Sequence, residues 1–168
     1  MFRLIKPTTT YKRSFIAAIK EFQREERKKD QDIKKLQENF SEFLTKMRNY
    51  EKGKNLPKGY VSASYYWLVD NNDFVGETTI RHKLTKALLK EGGHIGYGIR
   101  PTKRKLGYGT KILTLALKKA KKLGIKKVLV TCDDNNIGSR KVIEANEGIL
   151  EKKIRHKGKL LRHYWIKL

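Results

Sequence analysis

Apolar residues change their spacing along the chain, and each change marks a new element. Residues 2–6 read as a short strand. Tyr11, Phe15, Ile19 and Phe22 then recur at helical spacing on an otherwise charged segment, which predicts an amphipathic helix. Ile33, Leu36, Phe40, Phe43, Leu44, Met47 and Tyr50 keep that period and predict a second helix, ended by the breaker-rich stretch 53–59 around Pro57. From residue 62 the composition turns aromatic and β-branched. Tyr65, Tyr66, Trp67, Leu68 and Val69, the polar run Asp70-Asn71-Asn72-Asp73 and the segment 74–81 together predict a hairpin.

The second half alternates between the two periods. A short helix at 84–90 ends at Gly92-Gly93, where glycine supplies a left-handed cap. A strand at 94–100 is stopped by Pro101. Ile112, Leu113, Leu115, Ala116, Ala120 and Leu123 predict a helix over 110–123, closed by Gly124. A buried strand at 127–132, a short helix at 139–145 and two terminal strands at 149–155 and 160–168 complete the pattern, the last two joined at Lys157-Gly158-Lys159. An antiparallel start followed by alternating strands and helices predicts a mixed α/β (α+β) fold, a mixed sheet covered by helices.

The 168 residues suit a single domain spanning 1–168, large enough to bury about 70% of its unfolded surface. No apolar run approaches the roughly 20 residues of a membrane span, and residues 1–10 lack a signal-peptide core, so the expectation is a cytoplasmic protein without a membrane partner. The one cysteine, Cys132, reads as a small core residue rather than a nucleophile, and no Cys/His spacing suggests a metal site.

Charge changes this picture. The chain carries 40 Lys and Arg against 17 Asp and Glu, a formal net charge of +23. Between 101 and 130 every charged residue is basic, whereas 131–150 is mostly acidic. A field of this sign attracts phosphates and other polyanions. It admits an acidic or RNA-associated partner, and also a nucleic-acid- or ribosome-binding protein without catalysis. Against stacking of bases, Tyr65, Tyr66 and Trp67 are consecutive on a strand and so alternate faces.

The basic region contains Arg104-Lys105-Leu106-Gly107-Tyr108-Gly109-Thr110, a glycine-containing turn running into a helix. Glycines let a ligand approach the backbone, and the first helical turn offers unpaired N–H groups and the positive end of the dipole, which suits a pyrophosphate. The spacing is neither that of a P-loop nor of a dinucleotide fingerprint.

Arg104-x-x-Gly107-x-Gly109 resembles the [Gln/Arg]-x-x-Gly-x-[Gly/Ala] signature of GNAT superfamily N-acetyltransferases. The run 136–144, beginning Asn136-Ile137-Gly138-Ser139, resembles the family's segment at the start of the next helix. Residues 60–168 are similar to a bacterial subfamily whose members are themselves predicted acetyltransferases; the N-terminal helices match more loosely. The resemblance implies a splayed mixed sheet flanked by helices, with acetyl-CoA as co-substrate between two central parallel strands. The amides of Leu106, Gly107, Tyr108, Gly109 and Thr110 would hold its pyrophosphate, Arg104 and Lys105 would add charge, and Asn136 and Ser139 would contact the pantetheine arm or the phosphates. Asn136 also reads as a simple helix cap.

The resemblance further implies direct attack of a primary amine on the thioester, the oxyanion being met by the backbone N–H of Ile99 or Arg100. The family's tyrosine acid, seven residues after the motif asparagine, falls on Ile143. Tyr164 or Tyr97 would have to substitute. Candidate bases are His94, whose ordinary pKa suits the task, and Glu77 on the preceding strand. The amine's identity is open, as is a homodimer.

Overall fold

The computed structural model describes residues 2–168. Strand β1 (Phe2–Ile5) precedes helices α1 (Lys12–Arg24), α2 (Ile33–Glu38) and α3 (Phe40–Glu51). Strands β2 (Ala63–Asp70) and β3 (Asp73–Arg81), helix α4 (Lys86–Lys90) and strand β4 (Ile95–Ile99) follow. Helix α5 (Tyr108–Lys122), strand β5 (Lys127–Asp133), helix α6 (Ile137–Glu144) and strands β6 (Ile149–His156) and β7 (Lys159–Lys167) close the chain.

The mixed α/β class is as expected, and the sheet is divided. One half has the order β1-β2-β3-β4 and the other β5-β7-β6, with every ladder antiparallel. The predicted second helix is two helices, because Asn39 leaves the helical region at φ −124° and ψ 49°. Asparagine competes for backbone hydrogen bonds and tolerates such a joint, so the apolar period continues across a break it does not reveal. Helix α5 starts two residues earlier than its apolar pattern, since Gly107 itself is the N-cap.

Strand β2 is buried on both faces, and its side chains alternate between two cores. Tyr66 joins Ile80, Leu113, Ala116, Val130 and Tyr164 beneath α5. Trp67 joins Phe15, Phe22, Phe40 and Phe74 beneath α1 and α3. Phe15 stacks on Trp67 with ring centroids 4.5 Å apart, and Phe74 meets both rings edge-on. Tyr66 and Trp67 are buried on opposite faces, so the consecutive aromatics form no continuous stacking platform. Among the described residues no helix is long and apolar enough to cross a membrane.

Truncating Trp67 to alanine removes the centre of the α1–α3 core. It is expected to cost about 3–5 kcal/mol in urea denaturation, whereas Ile149→Ala, on a side chain 75% exposed, should stay within about 0.5 kcal/mol.

Candidate active site

The sheet halves meet where β4 begins. The His94 amide donates to the Leu129 carbonyl at 2.8 Å, and the Leu129 amide donates to His94 Nδ1 at 2.9 Å. Glycine is required beside this junction, because a Cβ on Gly93 would stand 2.3 Å from the Leu129 oxygen and φ there is +60°. Past the junction no ladder joins β4 to β5 among the described residues, and a cleft of about 270 Å3 opens. Ile95, Gly96 and Tyr97 line one wall and Val130, Thr131 and Cys132 the other. Residues following the junction on each strand face one another, so the two strands run the same way as they diverge.

The edge that β4 turns to this cleft follows from its register. Arg100 N–H donates to Val75 O at 2.8 Å, continuing the pairing of Gly76 with Ile99. Backbone groups of successive residues in an antiparallel ladder point to alternate sides. Ile99 and Tyr97 therefore aim their amides away from β3, towards the cleft, while the Arg100 amide is already used. Of the two oxyanion donors named from the sequence, only Ile99 has the required direction. The Arg100 guanidinium is also committed, to Glu21 and Ser14. Burial alone would raise the Glu21 pKa, but hydrogen bonds from Arg100 and Thr102 more than offset it and hold the carboxyl low.

Between β4 and α5 the chain makes a short 3-10 turn at Pro101–Lys103 and then enters the left-handed region at Lys105 (φ 61°) and Gly107 (φ 78°). A Cβ on Gly107 would meet nothing within 4 Å, so glycine serves conformation there, not space. At Gly109 the reason is proximity, for a Cβ would stand 2.8 Å from Val142 of α6. Among the described residues the amides of Lys105, Leu106, Gly107, Tyr108, Gly109 and Thr110 donate to no protein acceptor; the helical bonds begin with Lys111 N–H to Gly107 O at 3.2 Å. Six donors without a protein acceptor thus lie in the turn and first residues at the positive end of a 15-residue helix.

The neighbouring cations are less available. Arg104 closes both arms of its fork on Glu25 at 2.9 and 2.7 Å, and Lys103 pairs with Asp73 at 2.8 Å, whereas Lys105 is exposed. At the far end of the cleft the Asn136 side chain accepts from Ser139 N–H at 3.0 Å, the helix-cap role. The Ser139 hydroxyl lies 2.8 Å from that of Tyr97. Burial pushes the Tyr97 phenol up to about 12, against the lowering effect of Ser139, so it stays protonated at neutral pH.

Of the remaining candidates, His94 is a pin. Its Nδ1 is occupied by the Leu129 amide, and burial first, then nearby Arg81, keeps the imidazole below the usual histidine range. Tyr164 is buried away from the cleft lining, donating to Glu144 at 2.9 Å and accepting from Arg162 at 3.3 Å. Glu77 forms an ion pair with Lys28 and lines a cavity of about 210 Å3 between α1, α3 and the sheet. Tyr60, Tyr65 and Thr79 are shared with an adjoining cavity of about 310 Å3, whose wall includes Arg81. Glu77, Thr79 and Arg81 therefore form a row on one face of β3, with Gly98 and Gly96 of β4 opposite the first two. The sequence reading singled out Glu77 and passed over Arg81; the two-residue spacing with facing glycines is the signal that marks the row.

Comparison with known proteins places the fold in a family. Residues 10–147 match the profile of the Acetyltransferase (GNAT) domain, and the chain belongs to that family of N-acetyltransferases. Among solved structures it is similar to a ribosomal-protein-S5-alanine acetyltransferase from Vibrio fischeri (14% identity, 99% of this chain and 92% of that one, TM-score 0.76). A probable acetyltransferase (16%, 99% and 92%, TM-score 0.73) and the microcin C7 self-immunity acetyltransferase in complex with acetyl-CoA and AMP (13%, 99% and 92%, TM-score 0.72) share the fold. Among curated protein sequences none matches the chain.

The depressed His94 pKa carries a pH signature. A histidine that resists protonation when folded contributes stability fully above its unfolded pKa, about 6.5, and loses it as pH falls towards the folded value. Stability measured by urea melts should fall from about pH 7.5 to about pH 5, and more shallowly in His94→Gln.

Proposed function

We propose that the protein carries out acetyl transfer from acetyl-CoA to a primary amine without an acyl-enzyme, the acceptor entering from the side of α1 to α3. The observation that carries this reading is the set of six unspent amides from Lys105 to Thr110 at the start of α5. Such a cradle suits a diphosphate, whose oxygens replace the water those donors otherwise need. The charge of Arg104 is spent on Glu25, so the loop would grip mainly through backbone dipoles, with Lys105 adding a cation.

Acetyl-CoA supplies an acyl group already activated as a thioester. The β4 edge offers the Tyr97 and Ile99 amides as pairing partners for an extended arm, and one of them can meet the negative charge that develops on the acyl oxygen. We assign the Tyr97 hydroxyl, which stays protonated at neutral pH and lies 2.8 Å from that of Ser139, to donating to the departing sulfur. Glu77 lines the acceptor-side cavity and is the carboxylate we assign to deprotonating the amine, directly or through water.

Acetyl-CoA at about 100 times its Kd should stabilise the protein by about 2.7 kcal/mol and raise its Tm. Gly107→Glu, which places a side chain and a negative charge on a left-handed position, should abolish that rise; a wild-type protein giving no Tm shift and no calorimetric heat with acetyl-CoA would refute the assignment. Tyr97→Phe should lower kcat by about 100-fold while leaving the acetyl-CoA response in place.

A further inference from the structure

Arg81 lines both the cavity of about 310 Å3 that adjoins the Glu77 cavity and the cleft between β4 and β5. Its guanidinium lies over β4: the position of a Gly96 Cβ would be 3.8 Å from Nη1 and 3.9 Å from Nη2. The absence of a side chain at Gly96 leaves the group open towards the strand whose edge faces the thioester in the reading above. Nη1 donates to the Gly92 and Gly93 carbonyls, both at 3.1 Å. An arginine has five N–H donors. The Nε and Nη2 edge makes no hydrogen bond and no ion pair among the described residues, although this edge is the one that grips a carboxylate in two parallel bonds.

Burial makes this arrangement costly for a cation with no anion beside it, and burial is what lowers the Arg81 pKa, with the Tyr65 and Tyr60 phenols as the opposing influences. In a chain with so few acids, leaving a half-buried guanidinium uncompensated in a cavity wall suits an anion that arrives from outside.

We infer that Arg81 binds a carboxylate carried by the acceptor within a few bonds of its reactive amine, as in a free amino acid. The short separation follows from position: a carboxylate held over Gly96 is one residue from Tyr97, whose amide is one of the two cleft-facing donors of β4. The hydroxyls of Tyr65 and Thr79 on the same face border the space left for the acceptor side chain. This inference rests on the acetyl-transfer reading and narrows its substrate class.

The test uses the full chain with acetyl-CoA, following thiol release with a panel of L-amino acids and the matching L-amino acid carboxamides. At least one free acid should exceed its carboxamide in kcat/KM by about 10- to 100-fold, the worth of a charged hydrogen-bonded pair. Arg81→Gln should erase that preference through KM while the Tm rise with acetyl-CoA persists. Arg81→Lys, which keeps the charge without the fork, should retain part of it and guards against a Gln variant that loosens the Gly92-Gly93 turn. Equal kcat/KM for acid and amide, an equal loss on both in Arg81→Gln, or no acid acetylated by protein that binds acetyl-CoA would each overturn the proposal. Failure to bind acetyl-CoA at all would instead remove the acetyl-transfer reading beneath it, and the inference with it.

Discussion

The molecule is organised around a sheet that is pinned at one point and then allowed to part. The reciprocal bonds between His94 and Leu129, with a side-chain-free residue at Gly93, tie the start of β4 to β5. An unbroken ladder would have satisfied the β4 edge internally and left no backbone donors for a ligand. Because the strands separate instead, the Tyr97 and Ile99 amides face a cleft. Neutral imidazole fits this post, since Nδ1 must accept a hydrogen bond from the Leu129 amide and an imidazolium could not.

Both cores serve this opening. The aromatic cluster of Phe15, Phe40, Trp67 and Phe74 fixes α1 to α3 on one face of β2 and β3, and the aliphatic cluster under α5 fixes the other. Strand β3 lies between them, so its side chains at 77, 79 and 81 are held on rigid backbone along two adjoining cavities. Glycines at 96 and 98 keep β4 from walling that row off from the cleft. Proximity catalysis depends on such rigid placement more than on any single residue's reactivity.

What could be read from the amino-acid order was what depends on neighbours a few residues apart. The helices, the β2–β3 hairpin, the glycine turn before α5 and the Asn136 cap are all local, and their spacing shows them. The break at Asn39 was hidden because the apolar period runs straight through it. The fates of Arg100 and Arg104 were hidden for another reason: Glu21 and Glu25 lie some eighty residues away and meet them only when α1 packs beside the loop. The same holds for His94, whose partner is on a strand beyond the whole of α5, and for the direction of the Ile99 amide, which needs a register rather than a residue type. Composition alone made Arg104 look like a free cation and Arg81 look unremarkable, and long-range contacts reverse both.

The pairing of Arg104 with Glu25 and of Lys103 with Asp73 has a wider meaning for a chain of net charge +23. On the acetyl-CoA reading it would separate capture from retention. The lysines of α5 act over a Debye length and lose their pull as salt rises, whereas the neutral peptide groups of the turn work only in contact and are shielded little. Ionic strength would then govern how fast a polyphosphate arrives far more than how long it stays.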